Sequence, residues 1–441
     1  LEPARDFLPP RRLPLLYFGF AHLSLALALL ILALASPGLV GFFYQPRLVA
    51  VVHLVTLGFL TSSILGAFFQ VAPLALRSPL PARRLDGLVF GAFALGAGGM
   101  VTHFWMAEYH GMAWAAGLTA LALLPAAARA LRALARSPLP GEVRLPVALA
   151  WINLLLAGAL GVLLGVNRLE PFLPFAHLQG VYAHAHLAAL GWATLMVMGV
   201  GYRVIPMLLP AAMPGGAAVY GATVLFEVGL LGLATSFVVG LAPGPWAVLT
   251  ACGVFLFLGL VLRLRRHLRP PPGGLRRPDL GTLHVAQALV YLAVATALGV
   301  FLAFAPASEA TLRVASVYGV CGLLGFLVQM VLGVQSRLLP LVAWLHGFAG
   351  GGYRELPPSL HEAPARPVQW LVFGAWSLGV PLVAGGIAGE AGAARSAGAV
   401  LLLLGVAGSA FNAALVVRRL KAERATGGEA AEASTATARG E

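Results

Sequence analysis

Twelve apolar stretches of about 20 or more residues follow one another between residues 14 and 420 of this chain. A helix needs about 20 such residues to cross a bilayer core. Lipid offers no partner to backbone N–H and C=O groups, so each stretch must satisfy its own hydrogen bonds as a helix. Composition agrees. Of 441 residues, 59% are hydrophobic and 10% charged, where a soluble domain carries about 25% charged residues. The expected fold is an all-α polytopic membrane protein whose twelve transmembrane helices are joined by short connections at the two surfaces.

The net charge of +13 raises the question of a nucleic-acid partner, and its distribution answers it. If the N-terminus is cytoplasmic and the spans alternate, all but four of the 29 Lys and Arg residues fall on the cytoplasmic side. The exceptions are Arg47, Arg168, Arg313 and Arg395. That is the positive-inside bias of a membrane protein, with no nucleic acid required. It predicts a multi-pass protein of a bacterial-type inner membrane with both termini cytoplasmic. The first span follows Arg11 and Arg12 and ends near Ala33-Leu34-Ala35, which resembles a signal-peptide cleavage site. Its apolar stretch is longer than a usual signal core, and it is kept as a span. Cys252 and Cys321 both lie within spans and imply no disulfide framework. The small polar residues of 425–441 suggest a disordered cytoplasmic tail.

A repeat runs through the twelve spans. GFLTSSILGAFFQVAP (58–73), GWATLMVMGVGYRVIP (191–206) and GFLVQMVLGVQSRLLP (325–340) share G-x7-G-x6-P, and their starting glycines stand 133 and 134 residues apart. Each copy lies in the second span of a group of four. Residues 1–424 therefore read as one membrane domain of three pseudo-symmetric repeats, about 14–137, 145–270 and 279–420, with an insertion near 343–366. The commonest twelve-span transporters are built as two halves of six, and three groups of four do not fit that plan. Close helix packing explains the glycines. It does not explain the histidines.

His53 and His186 each stand five residues before a repeat glycine, in spans 2 and 6, and the equivalent residue of span 10 is Val320. His184 lies two residues before His186, in the stretch HAHLAALGW. An intramembrane histidine is a functional candidate, and imidazole is a common ligand of haem iron and copper. Two residues on a helix diverge by about 200°, so His184 and His186 do not easily chelate one ion. Each can face its own pocket, one on either side of the helix. His53, His184 and His186 share one depth near the outer face and read as a ligand set. For a lone His22 or His284, an interhelical hydrogen bond is the simpler reading. His103, His110 and His177 fall at the outer interface, where solvation competes with metal ligation.

The three groups of four, and an HxHL…G…P element with a second histidine at the same depth, resemble subunit I of the haem-copper oxidase superfamily. The cbb-type cytochrome c oxidase and nitric oxide reductase branch is the nearest in flavour. The stretch YRVIP (202–206) also resembles NnrS-type proteins. The resemblance implies b-type haem, with His53 and His186 as its two axial ligands and His184 as the ligand facing a second pocket. It implies respiratory electron transfer or nitrogen-oxide or oxygen chemistry, and a cytochrome c-type donor or partner subunit. The chain departs from the pattern in two ways. The family's HxH belongs to span 10, and here it is on span 6. The family's copper-binding histidines on spans 6 and 7 have no counterpart in span 7, which counts against copper and against a terminal oxidase. The alternative is a permease, or an assembly or nitric-oxide-response factor, that reuses the fold without a haem–copper centre. Glu227 is the acid nearest the middle of a span, and reads equally as a proton relay or a hydrogen-bonded structural carboxyl. Arg203 and Arg337, each three residues before a repeat proline, are expected to snorkel to the headgroups.

Overall fold

A computed structural model of the protein describes residues 8–35, 42–212, 214–270, 278–350 and 364–437, with side chains described up to Arg418 except at 267 and 350. Twelve helices are long and apolar enough to cross a membrane. They are α1 (Arg12–Leu34), α2 (Pro46–Leu74), α3 (Arg84–Met106), α4 (Tyr109–Ala135), α5 (Gly141–Leu169) and α6 (His177–Leu208), followed by α7 (Ala217–Val239), α8 (Gly244–Leu264), α9 (Leu280–Phe304), α10 (Glu309–Ala349), α11 (Arg366–Ala388) and α12 (Gly392–Arg418). No strand occurs among the described residues.

The contacts between helices close into a ring of three units. Within each unit, consecutive helices pack on one another: α1 to α4, α5 to α8, and α9 to α12. The units join through α4 with α5, α8 with α9, and α12 with α1. The second helices α2, α6 and α10 meet at the centre. This is the threefold arrangement that the recurring glycines imply. Outward faces carry large apolar side chains such as Leu23, Leu88, Trp114 and Leu378, all well exposed, which suits contact with lipid chains.

Without a hydrophobic drive between helices in lipid, close packing and interhelical hydrogen bonds must hold the bundle together. The repeat motif supplies the packing. A Cβ added at Gly58, Gly191 or Gly325 would lie 2.5, 2.7 or 2.5 Å from an atom of Ser24, Asn153 or Tyr291. Each of those partners is on the first helix of its own unit. The second glycines, Gly66, Gly199 and Gly333, press on the same helices at 2.9, 2.8 and 2.9 Å. G-x7-G is thus a two-point seam between the first and second helix of each unit.

Two faces follow. One carries the connections 42–45, 107–108 and 170–176 and is called here the histidine face. The other carries Arg11, bonded to the His346 carbonyl, and is called the terminal face. There Asp86 pairs with Arg129, both largely buried. Arg203 Nε donates to the Ala75 carbonyl (3.2 Å), and Arg337 pairs with Asp279 (3.6 Å). Both arginines therefore also meet protein acceptors at neighbouring helix ends. Helix α10 continues past residue 342 into the stretch read as an insertion, of which 351–363 lies outside the described residues. The last helix runs on from Gly392 to Thr437. Residues 425–437 are therefore helical where small polar composition suggested disorder, and Ala and Glu, both good helix formers, recur there.

Candidate functional site

In α2, α6 and α10 the helix widens into π-helical runs of eight residues, Leu54–Thr61, Leu187–Thr194 and Cys321–Val328. Each run begins one residue after His53, His186 or Val320, so the widened turns stand in the same register in all three units. Runs of this kind are uncommon and concentrate at functional sites. The three touch one another on the central axis. Trp192 Nε1 donates to Thr61 Oγ1 there (3.1 Å), tying α6 to α2.

Beside the π runs, toward the histidine face, lies a cavity of about 770 Å³. Its lining crosses the α2–α6 boundary and the α6–α10 boundary and includes His53, His184, His186, His177 and Tyr318. That is the upper part of the range for small-molecule and cofactor sites. The three intramembrane histidines are half-buried because they face this cavity.

The structure separates His184 from His186 as their spacing requires. The His184 ring lies 6.5 Å from that of His53, centre to centre, with 22° between the planes. Its Nδ1 is 2.9 Å from the Ala157 carbonyl on α5. His186 points the other way, to Phe237 (5.2 Å) and to Tyr318 of α10 (6.4 Å, 22°). The ring beside His53 is thus that of His184, while His186, the partner that the resemblance implies, stands on the other side of the helix. The register of α6 against α2 turns the earlier histidine of HxH toward the first unit. The three do not converge on one point, and among the described residues no group of three or more His, Cys, Asp or Glu side chains is placed to share a metal ion.

Hydrogen bonding fixes the same tautomer in all three rings. His53 Nδ1 is 2.8 Å from the Val49 carbonyl and His186 Nδ1 is 2.8 Å from the Tyr182 carbonyl. A carbonyl only accepts, so Nδ1 carries the proton and Nε2 keeps its lone pair, the state in which imidazole binds a metal. His22 and His346 make the same bond to their own helices, so this feature alone does not mark a site. Location beside the cavity does. Two imidazoles sharing one ion, with metal–nitrogen bonds of about 2 Å, hold their ring centres roughly 6 Å apart. The observed 6.5 Å matches that spacing. Gly158, Gly161 and Gly165 of α5 line the void near His184. A Cβ at Gly161 would stand 2.8 Å from His184 Cε1. The His53 ring is backed on another side by Phe104 at 5.1 Å.

A polar rim crowns the cavity. Tyr44 Oη and His177 Nε2 are 2.6 Å apart. The Arg168 guanidinium lies over the rings of Tyr109 (4.8 Å) and Tyr44 (5.7 Å). Burial pushes the Tyr44 hydroxyl up, with Arg168 pulling the other way, so the phenol stays protonated at neutral pH.

The remaining candidates fall elsewhere. Asn153 Nδ2 donates to both carboxylate oxygens of Glu227 (3.1 and 3.0 Å), with both residues buried. Glu227 does not line the cavity. His103 pairs with Glu108 (2.7 Å), and His110 is exposed. His284 is buried near the Gln329 amide (3.4 Å), whose N–H makes its Nδ1 an acceptor. His361 and the side chain of His267 lie outside the described residues. Sequence reading missed Tyr318 and the rim of Tyr44, Tyr109 and Arg168. Tyr318 had a signal, since it stands seven residues before Gly325 as His184 does before Gly191. The rim residues, one in a connection and two at helix ends, had none. No protein-family model matches the chain, and no curated protein is significantly similar to it.

Proposed function

We propose that the protein is a haem-binding membrane protein built like subunit I of the haem-copper oxidases, with His53 and His184 as the two axial ligands of a b-type haem. The observation that carries this is the near-parallel imidazole pair, 6.5 Å apart, drawn from adjacent units onto one apolar cavity. The residues fit the group. Both rings keep a free Nε2, the wall beside His184 is built of glycine and alanine, and Arg168 with Tyr44 and His177 offers donors to acidic substituents at the rim. A haem held by two imidazoles would supply one-electron transfer. The chain's own part is to fix both rings through the Val49 and Ala157 carbonyls and to keep water from the iron with the surrounding aliphatic and aromatic side chains.

With the positive-inside orientation, the histidine face is the outer one and both termini are cytoplasmic. A cytochrome c-type donor would then approach the rim. The work of the protein would be electron transfer, or chemistry on oxygen or a nitrogen oxide. Glu227, paired with Asn153 between the cavity and the terminal face, is the candidate proton relay of this scheme. A second reading, a permease or an assembly factor without haem, draws on the same cavity, which is large enough to pass or hold a small molecule. A reduced-minus-oxidised spectrum of purified protein separates the two. Low-spin haem bands support the first reading, and protein made with ample haem but lacking a Soret band supports the second.

A further inference from the structure

The ring of units closes where α12 meets α1, and at the histidine face this joint holds a buried arginine. Arg395 lies in the first turn of α12 and is only 4% exposed. One of its guanidinium nitrogens donates to the carbonyl of Ala35, just past the end of α1. Its Nε is buried and has no acceptor. Among the described residues no carboxylate pairs with it. Glu390, the acid nearest in sequence, is bound to Arg313 at the exposed surface, and residues 36–41, which lead on from Ala35, contain no acid. Helix ends do not settle the charge. The C-terminus of α1 is worth roughly half a negative charge and the N-terminus of α12 roughly half a positive one. The two offset each other and leave the guanidinium charge over. Nor does the fold demand an arginine here. Gly96, Gly229 and Gly379 pack on Thr119, Thr250 and Leu402 in the three units. Seven residues before those partners stand Met112, Pro243 and Arg395, and the first two carry no charge.

We propose that Arg395 and the start of α12 bind a phosphate oxyanion, carried by the headgroup of a phospholipid in the leaflet at the histidine face. The first N–H groups of an α-helix have no partner within it, and α12 has no acidic side chain in its first turn. Such a helix end is a ready site for phosphate. Space for it lies beside Gly392, where a Cβ would meet nothing nearer than an Arg395 guanidinium nitrogen at 4.0 Å. An oxyanion lodged there reaches the guanidinium and the free N–H groups together, and charge-assisted bonds of this kind are roughly twice as strong as neutral ones. Depth favours a lipid. The site stands at the end of a membrane span, level with headgroups, and Leu27, Leu30, Val400 and Leu404 of the same two helices expose apolar side chains further in, where acyl chains run. A phosphate held here neutralises the joint that closes the ring. The inference is independent of the ligand reading of His53 and His184.

The test is thermal unfolding of delipidated, detergent-purified protein titrated with three probes. These are dioctanoyl phosphatidylglycerol, dioctanoylglycerol (the same chains without phosphate) and inorganic phosphate. The phospholipid should raise the wild-type midpoint by a few degrees, and the phosphate-free lipid should not. Arg395→Gln should need about 10–100-fold more phospholipid for the same shift, the loss expected for hydrogen bonds to a charged group. Gly392→Asp puts a carboxylate into the open space at the helix start. It should unfold at a higher temperature than wild type without lipid, and gain little when phospholipid is added. That variant keeps the test decisive where Arg395→Gln does not fold. Stabilisation by the phospholipid and not by inorganic phosphate assigns the oxyanion to a headgroup. Inorganic phosphate that stabilises wild type and removes the phospholipid's effect overturns the lipid source and leaves a free-phosphate site. The site itself is overturned if wild type responds to neither phosphate compound, if dioctanoylglycerol stabilises as well as the phospholipid, or if Gly392→Asp and wild type respond alike.

Discussion

Gly161→Ala is a single methyl group aimed at the proposed ligand. Its Cβ would stand 2.8 Å from His184 Cε1 and 3.2 Å from Nδ1. Carbon–carbon contacts settle at about 3.5–4.0 Å, so the ring must retreat by roughly 1 Å. The bond from His184 Nδ1 to the Ala157 carbonyl, one turn earlier on the same helix, is 2.9 Å long and does not survive that shift. The lost bond costs about 0.5–1.5 kcal/mol and the overpacking about 1–3 kcal/mol. Replacing a helical glycine by alanine returns about 0.5–1 kcal/mol. The net loss of about 1–3 kcal/mol leaves most chains folded. Haem affinity should fall further, by about 10–100-fold, as when the partner orienting a ligating histidine is lost. Gly158→Ala is the control. It lies on the same helix and beside the same cavity, but its Cβ would meet nothing nearer than Ala120 Cβ at 3.9 Å. Haem titration of detergent-purified apoprotein, with thermal unfolding alongside, reads both quantities. Equal haem affinity in Gly161→Ala, Gly158→Ala and wild type would refute the placement of the ligand at His184.

Asp86→Asn should lower stability by about 3–5 kcal/mol, since it breaks a buried pair with Arg129 and leaves that guanidinium uncompensated. The haem spectrum of the surviving folded fraction should be unaltered. Glu227→Ala and Asn153→Leu should each cost about 1–3 kcal/mol by orphaning the other's buried polar group, and the double variant should cost less than their sum. If the costs simply add in a thermal-unfolding cycle, the two side chains do not act as a pair. A cysteine at Glu170→Cys should react with a membrane-impermeant maleimide in intact cells, and one at Thr426→Cys only after permeabilisation; the reverse pattern would invert the assigned orientation. Glu108 caps α4 by accepting the Gly111 and His110 N–H groups, and these bonds hold its carboxyl below the ordinary range. A depressed folded-state pKa stabilises above the unfolded value, so this capping is complete at neutral pH. It fades as the pH falls below the usual glutamate range near 4.5. Glu108→Gln should flatten that part of the stability–pH curve.

The spans were legible because a bilayer demands a length of apolar helix that no loop can imitate. The three units were legible because the glycine seams recur wherever a second helix presses on a first, at Ser24, Asn153 and Tyr291 alike. The π-helical runs were not. LVTLGFLT, LAALGWAT and CGLLGFLV have the composition of any transmembrane helix, and no residue type in them marks the widening. Divergence of His184 from His186 could be read from their spacing alone. Which of them meets His53 could not, since that depends on the register of α6 against α2. Tyr318 was hidden by its residue type and visible only through its place in the repeat. The partners of Arg203 and Arg337 were not legible, because a sequence shows how near an arginine lies to a helix end and not which carbonyl or carboxylate waits there.

The central claim is that His53 and His184 share one haem iron. Reduced-minus-oxidised absorption spectra of wild type, His53→Ala, His184→Ala and His284→Ala test it most directly. Wild type should show low-spin bis-imidazole bands that vanish in both His53→Ala and His184→Ala. They should remain in His284→Ala, whose ring lies against Gln329 and away from the cavity. Wild-type protein made with ample haem but showing no Soret band, or low-spin bands that survive the loss of either His53 or His184, would contradict it.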